Sequence, residues 1–301
     1  MMKIDSNTVQ PPVSPTDHQT KHISAQVSID DSASKTDQTT HVAATLRLLS
    51  AQAGIAVSAR LSSQQDRQQH VRHRQQVKAQ AQLANLESIL AIATSVSVKS
   101  VSGQSTDADW FHGFLELAEN IYSPAMQELW GKILAVEVAT PGSFSLKSLE
   151  TIRYLTQRDA DIFARAASLA CRSVTDDVPR LLVGFHQKPR LSSFFRPRSA
   201  RQLNLSEFSL PYSALLTLID LKLIYASEIE SGEIPAGQQT RWKYLNQTLT
   251  LTARSKGTAL VFYKFTGVGA ELYRLVGKKT VPAYLSQLSE LLGAPFGVTI
   301  D

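Results

Sequence analysis

The chain has 301 residues, of which 43% are hydrophobic, and this length and apolar content suffice for about two domains with buried cores. Its single cysteine, Cys171, excludes an intrachain disulfide and a multi-cysteine metal cluster, which fits a cytoplasmic protein. The apolar stretches are too short to cross a bilayer, so we expect no membrane span.

The formal net charge of +5 is concentrated in two segments. Residues 60–80 hold five cations and one acid, and residues 180–201 hold six cations and no acid. The rest of the chain is therefore net acidic. Because basic clusters attract phosphates and other polyanions, the sequence predicts polyanion binding at these two segments.

The first hundred residues are predicted to be a tail followed by helix. Residues 1–41 are polar and hold Pro11, Pro12 and Pro15, and such a segment buries too little apolar surface to offset its ordering entropy. We therefore expect a disordered tail there. Residues 42–100 are predicted to be a long polar and basic helical segment, whose second half is amphipathic.

Residues 105–172 are predicted to form a domain of four short amphipathic helices, because apolar residues recur three and four positions apart. Asp107 is the expected N-cap of the first helix, and Pro124 is the expected first residue of the second. Thr156 with Asp159 makes a capping box for the fourth.

The C-terminal third is predicted to combine one loop with a mixed domain. Residues 173–203 contain three prolines and are expected to be an irregular basic linker loop. Residues 204–301 show a helix, a β-like segment, a polar insertion at 231–247, two strands joined at 255–257, and two more helices. This order is typical of a winged helix. The predicted fold class is mainly α with a small α+β part, a helical domain plus a winged-helix-like C-terminal domain.

The segment MQELWGKILAVEVATPGSFSLKSLETIRYL, residues 126–155, resembles a gammaproteobacterial family of unknown function. Its members share an ELW(A/G)K(I/L)LAxE core followed by PGSFS. Further matches are NLESIL at 85–90, DADWF at 107–111 and DADIF at 159–163, so the resemblance covers roughly residues 70–170. Val136 stands where the family has a glycine. The resemblance implies a cytoplasmic, helical, bacterial protein and carries no activity with it.

Glu137 is the acidic residue on the predicted apolar face of the second helix in this domain. A buried carboxylate needs hydrogen-bond donors, and backbone N–H groups of the following Pro-Gly-Ser-Phe-Ser turn can supply them. The structural interpretation is therefore a buried carboxylate that binds this turn. The alternative interpretation is a catalytic acid or base.

Sequence motifs for metal, nucleotide or nucleophile chemistry are absent. His70 and His73 have the spacing of a metal pair on a helix, but Arg72 and Arg74 beside them would repel a cation. The glycines of TGVGAEL at 266–272 lack the third glycine and the acid of a dinucleotide site. We therefore expect no metal, no cofactor and no catalytic residue.

The best functional signal is the loop HQKPRLSSFFRPRSAR, residues 186–201. Arginines interleaved with phenylalanines can hold phosphates while stacking on bases. The predicted polyanion-binding residues are Lys188, Arg190, Phe194, Phe195, Arg196, Arg198 and Arg201, together with Arg72 and Arg74 of the long helix. The alternative is a solvated loop whose phenylalanines anchor it to the core.

The sequence as a whole favours a non-enzymatic bacterial interaction or regulatory protein with an unidentified protein partner. Weak, non-specific binding of nucleic acid or another polyanion is the expected further property. The alternative is a hydrolase or nuclease whose site is assembled from distant residues that include Glu137. Three or more polar side chains converging in a deep pocket around Glu137 would favour the enzyme.

Overall fold

A computed structural model describes residues 30–55, 63–98, 101–188 and 201–301, with side chains from Thr40 onward. The chain divides into two compact units, Met1–Ala79 and Gln80–Asp301. Among the described residues, no helix is both long and apolar enough to cross a membrane. The first 29 residues of the predicted tail lie outside the described part of the chain.

The described residues form nine α-helices and one short 3-10 helix at Leu205–Phe208. The α-helices are α1 (Asp30–Gln52), α2 (Gln64–Ser95), α3 (Ala108–Ala118), α4 (Pro124–Ala139), α5 (Leu146–Tyr154), α6 (Gln157–Leu169), α7 (Tyr212–Asp220), α8 (Gly267–Leu275) and α9 (Pro282–Leu292).

Eight strands of the described residues form one antiparallel sheet in the order β4-β7-β2-β1-β5-β6-β8, with β3 paired to β2. They are β1 (Cys171–Ser173), β2 (Pro179–Gln187), β3 (Arg201–Gln202), β4 (Ile229–Glu230), β5 (Gln239–Tyr244), β6 (Gln247–Ala253), β7 (Thr258–Lys264) and β8 (Phe296–Ile300). The fold therefore combines helices with a large antiparallel sheet, which is more strand than the sequence predicts.

In the first unit, α1 begins at Asp30, inside the segment expected to be a disordered tail. The described helix therefore overlaps the last part of that segment, and the expected disorder of the tail stays a prediction. Gly54 follows the end of α1 with φ +67°, a left-handed conformation that favours glycine. A Cβ at this position would lie 3.2 Å from the Val77 Cβ of α2, so the close approach also favours glycine.

The four helices predicted for residues 105–172 are present as α3 to α6. The Asp107 carboxylate caps α3 by accepting from the backbone N–H of Trp110 at 2.8 Å, and Pro124 opens α4. The capping box of Thr156 and Asp159 at the start of α6 is also confirmed. Local side-chain chemistry therefore fixes these helix starts.

The predicted linker loop at 173–203 is wrong over much of its length, because β2 lies there and its first seven residues are buried. The run LLVGF, residues 181–185, is a continuous apolar stretch of the kind that is buried on both faces of a sheet. Basic residues and prolines on either side of this run make the segment resemble a loop. Residues 189–200 lie outside the described part of the chain.

The two strands that were predicted to form a hairpin around 255–257 do not pair with each other. Strand β6 pairs with β5 and β8, whereas β7 pairs with β2 and β4. The hairpin is instead β5–β6, and β5 occupies the segment expected to be a polar insertion. The structure therefore does not show the winged-helix arrangement.

Within Gln80–Asp301, the helices and the sheet share one hydrophobic core. Phe163 of α6 packs against Phe265 with ring centroids 5.8 Å apart. The Glu271 carboxylate of α8 accepts from the Ser145 backbone N–H at 2.7 Å, at the start of α5. These contacts join the regions that the sequence divided near residues 173–203.

Candidate polyanion-binding site

Glu137 lies near the end of α4 and is 2% exposed. One carboxylate oxygen, Oε1, accepts from the backbone N–H of Gly142 at 2.6 Å, and Oε2 accepts from that of Phe144 at 2.8 Å. Both oxygens are therefore engaged by the turn between α4 and α5. The carboxylate is enclosed and bound to this turn. The structural role of Glu137 stays a prediction.

Most of the predicted polyanion-binding loop lies outside the described residues, namely Arg190, Phe194, Phe195, Arg196 and Arg198. Lys188 and Arg201 flank this gap. The Lys188 ammonium donates to the Glu233 carboxylate, which raises the pKa of Lys188. Arg201 is exposed on the short strand β3, which pairs with β2. The described end of the loop therefore includes one cation whose charge is already balanced.

The predicted cations of α2, Arg72 and Arg74, are both exposed and belong to the first unit. At about 100° per residue they point some 160° apart around the helix, so they do not form one surface. Arg74 instead shares a face with Arg67 and Lys78, which are likewise exposed. This face is a basic stripe along one side of α2.

A second group of cations comes from β5, whose side chains alternate between two environments. Trp242 and Tyr244 are buried, whereas Arg241 and Lys243 between and beside them are exposed. Successive residues of a strand point to opposite faces of a sheet. One face of β5 therefore contributes to the core and the other presents two positive charges.

Neighbouring strands extend this charged surface. Arg172 of β1 lies directly opposite Lys243, and directly opposite residues of paired strands share a face. On the other side of β5, threonines of β6 pair with its outward residues. We call this surface the outer sheet face, and it comprises Arg172, Gln239, Arg241, Lys243, Thr248, Thr250, Thr252 and Thr299.

The outer sheet face is poor in acidic groups. The described strands β1, β5, β6 and β8 contain no acidic residue. Asp301 follows β8 directly, and its backbone pairs with that of Thr248 at the edge of the outer sheet face. Arg172 also donates from Nη1 to the exposed Asp177 carboxylate at 2.8 Å. The surface is therefore a cationic, hydroxyl-bearing sheet face with partial neutralisation at its edges.

A cavity of about 350 Å³ adjoins the outer sheet face at Arg172. Tyr273 of α8 contributes an aromatic ring, with the Arg172 guanidinium 5.8 Å and the Lys278 ammonium 4.2 Å from its centroid. Arg274 lines the same cavity and is exposed. We call this cavity the Tyr273 cleft. It is lined by three cations, two of which lie over the Tyr273 ring.

Burial is the main cause that lowers the pKa of Lys278, and the nearby positive charge of Arg172 adds to it. Burial also raises the pKa of the Tyr273 hydroxyl. Positive charges are thus crowded into a partly desolvated space, an arrangement that a bound anion would relieve.

A family model described as "Protein of unknown function (DUF2806)" matches residues 69–289 of the chain. The chain belongs to the DUF2806 family. No curated protein and no solved structure shows significant similarity to it. The segment matched to DUF2806 contains Arg172, Arg241, Lys243, Arg274 and Lys278, so the outer-face and cleft cations all lie within it.

The sequence of this DUF2806 protein does not group these cations, because they lie far apart along the chain, in β1, in β5 and in or just after α8. The available signal is the alternation in RWKY, residues 241–244, where cationic and aromatic residues exchange at every step. Among the described residues, no group of three His, Cys, Asp or Glu side chains could hold a metal ion.

Proposed function

We propose that this DUF2806 protein is a non-enzymatic, nucleic-acid-binding interaction protein of the bacterial cytoplasm that holds a phosphate backbone on its outer sheet face. The finer resemblance, an ELW(A/G)K(I/L)LAxE core shared with gammaproteobacterial proteins, supports the bacterial origin. Binding is weak and sequence-independent in this proposal, because phosphate contacts position a ligand without reading bases.

The observation that carries the proposal is the direct opposition of Arg172 and Lys243 across β1 and β5, with Arg241 beyond them. Like charges directly opposite one another destabilise a sheet. A phosphate backbone laid across them would turn this repulsion into attraction. The threonine hydroxyls of β6 add neutral donors of the kind that contact phosphate and sugar oxygens.

Nucleic acid fits the outer sheet face better than a membrane surface does. Peripheral membrane binding combines cations with large apolar side chains that enter the acyl boundary. The outer sheet face offers threonines instead, and its apolar partners Trp242 and Tyr244 are directed into the core. Failure to bind vesicles of anionic lipid is therefore an expected result.

The non-enzymatic part of the proposal is supported by Glu137, the carboxylate on which the enzyme alternative depends. Both of its oxygens accept backbone N–H groups, and its side chain is enclosed. A general acid or base must reach the proton it transfers in a substrate complex. The enclosed position supports a structural role.

The test compares Arg241→Ser/Lys243→Ser with Arg158→Ser/Arg165→Ser, which removes two exposed charges from α6. Retention of single- and double-stranded nucleic acid is measured from about 50 to 200 mM salt. Each lost phosphate contact should reduce the duplex log–log salt slope by about 0.9. We expect a reduction near two for the β5 variant and little change for the α6 variant.

Two results would overturn this proposal. Lack of retention of the parent protein at about 50 mM salt would remove nucleic-acid binding altogether. Equal slopes for the two double variants would remove the outer sheet face. A third variant, Arg190→Ser/Arg196→Ser/Arg198→Ser, tests the loop predicted from the sequence. If nucleic-acid retention falls in this variant and not in the β5 variant, binding is assigned to the loop.

A further inference from the structure

The Tyr273 cleft differs from the rest of the basic surface because it is concave. Arg172 belongs to both, so a ligand that leaves the outer sheet face at Arg172 enters the cleft directly. The Tyr273 side chain is 6% exposed, and its ring lies between the Arg172 and Lys278 cations. The cleft is therefore a charged cavity at the Arg172 edge of the open outer sheet face.

The charges in the cleft do not cancel. Asp177 accepts from Arg172, so these two charges balance each other. Asp176 also lines the cleft, but its carboxylate is bonded to Arg180 and lies 3.9 Å from the Lys264 ammonium. Both acids are thus compensated by cations other than Arg274 and Lys278. Two positive charges remain.

The two remaining cations also have unused donors. Lys278 Nζ donates to the carbonyl oxygens of Tyr273 at 2.8 Å and Val276 at 3.1 Å, at the end of α8. An ammonium group has three N–H donors, so one is left. Arg274 has no hydrogen-bond or ion-pair partner within the described residues, and its guanidinium can bind a phosphate through two N–H groups.

A phosphate monoester matches this site in charge. It carries about −1.5 to −2 near neutral pH, whereas a carboxylate or an internal phosphodiester carries −1. We propose that the Tyr273 cleft binds a terminal phosphate monoester of a nucleic-acid strand whose backbone lies on the outer sheet face. The inference rests on the proposed function and adds a preference for phosphorylated strand ends.

A strand end suits the cleft for a steric reason as well. An internal phosphodiester has nucleosides on both sides, and both must find a way out of a cavity of about 350 Å³. A terminal phosphate has one nucleoside, which can follow the path past Arg172. A dianion would also counter the burial and the Arg172 charge that lower the pKa of Lys278, and it would offset the crowding of positive charge there.

The experiment measures affinity for one single strand of fixed sequence that bears a hydroxyl or a phosphate at its 5′ end or at its 3′ end. We expect the phosphate at one of the two ends to tighten binding by about tenfold, the gain of a charge-assisted contact pair. Arg274→Gln should abolish this gain and leave binding of the unphosphorylated strand within about twofold. Lys278→Gln should act in the same direction.

Lys279→Gln is the matched control, because it removes an exposed lysine next in sequence that does not line the cleft. It should leave the phosphate preference intact. Arg274 is exposed and unpartnered within the described residues, so its variant tests the site even where loss of Lys278 weakens the end of α8.

The outcomes separate the two proposals. Equal affinity for strands with and without a terminal phosphate, with salt slopes that still fall in the β5 variant, overturns the cleft assignment and leaves the outer sheet face standing. In a second outcome, a nucleoside monophosphate binds the parent protein, but a terminal phosphate on the strand does not change strand affinity. This outcome overturns the assignment of the cleft to a strand end. Absence of strand binding altogether overturns the proposed function first.

Discussion

The two faces of β5 (Gln239–Tyr244) differ sharply in burial and in charge. On the inner face, Tyr244 is fully buried against Tyr284, and its hydroxyl accepts from the Val281 backbone N–H at 3.0 Å. On the outer face, Arg241 and Lys243 are exposed beside residues that hold no opposite charge on β6. Alternation along a strand of six residues thus places core side chains on one face and the proposed binding residues on the other.

The same contrast divides the arginines. Arg180 of β2 is 9% exposed, and its guanidinium lies 5.4 Å from the Trp242 ring and 5.2 Å from the Phe262 ring. It also donates to the Asp176 carboxylate. Arg180 counts toward the basic segment 180–201 in the sequence, yet it is enclosed and holds the inner face together. Charge counts along a sequence therefore overstate the surface charge of that segment.

The largest expected effect is on the inner face of β5. Tyr244→Ala removes a fully buried aromatic side chain and its hydrogen bond, so we expect a loss of about 3–5 kcal/mol in the free energy of unfolding. Lys243→Ala, one residue away, should change it by less than about 0.5 kcal/mol. Denaturant titration measures both. Comparable losses for the two variants would show that the faces of β5 are not divided as described.

Two glutamates of α4 sharpen the comparison between enclosed and exposed groups. Glu137→Ala leaves the backbone N–H groups of Gly142 and Phe144 without acceptors, which should cost about 1–3 kcal/mol of stability. Glu137→Gln keeps one acceptor oxygen, so its cost should be smaller. The control is Glu128→Gln, since Glu128 is exposed and pairs with Lys132.

Thermal unfolding at neutral pH measures these three variants. The expected order of destabilisation is Glu137→Ala, then Glu137→Gln, then Glu128→Gln, which should be near zero because an exposed i,i+4 pair contributes little. A parent-like melting temperature for Glu137→Ala would contradict the buried-carboxylate account. A stable but inactive Glu137→Gln in a nuclease assay would favour the enzyme alternative.

Helix starts and the positions of β6 and β7 were predictable from the sequence, whereas the pairing of the strands was not. The caps at Asp107 and Thr156 depend on residues three positions away, so local sequence carries the signal. Strand pairing depends on partners far along the chain. Cys171 pairs with Arg180, nine positions away, but Ser173 pairs with Trp242, 69 positions away, and no local pattern encodes that pair.

The candidate site follows the same rule. The sequence predicts a joint role for Arg72 and Arg74 because both lie in the basic segment 60–80, yet helix geometry points them apart. Arg172, Lys243 and Arg274 lie far apart in sequence and form no basic segment, although the sheet and α8 bring them to one region. Assembled surfaces of this kind become visible only when strand order and register are known.

The smallest expected effect is a gain in stability on the outer sheet face. Lys243→Gln removes the repulsion between Lys243 and Arg172, which lie directly opposite each other. Cross-strand charge pairs contribute about 0.2–1 kcal/mol, and the gain should lie at the low end because Asp177 already attracts Arg172. Screening should shrink this gain in stability in 1 M salt, where the Debye length is about 3 Å.

Arg172→Gln, alone and combined with Lys243→Gln, completes a double-mutant cycle that isolates the coupling between the two cations. We expect an unfavourable coupling in dilute buffer that fades with salt. A favourable coupling, or one that salt leaves unchanged, would show that these two cations do not repel each other and would remove the observation that carries the proposed function.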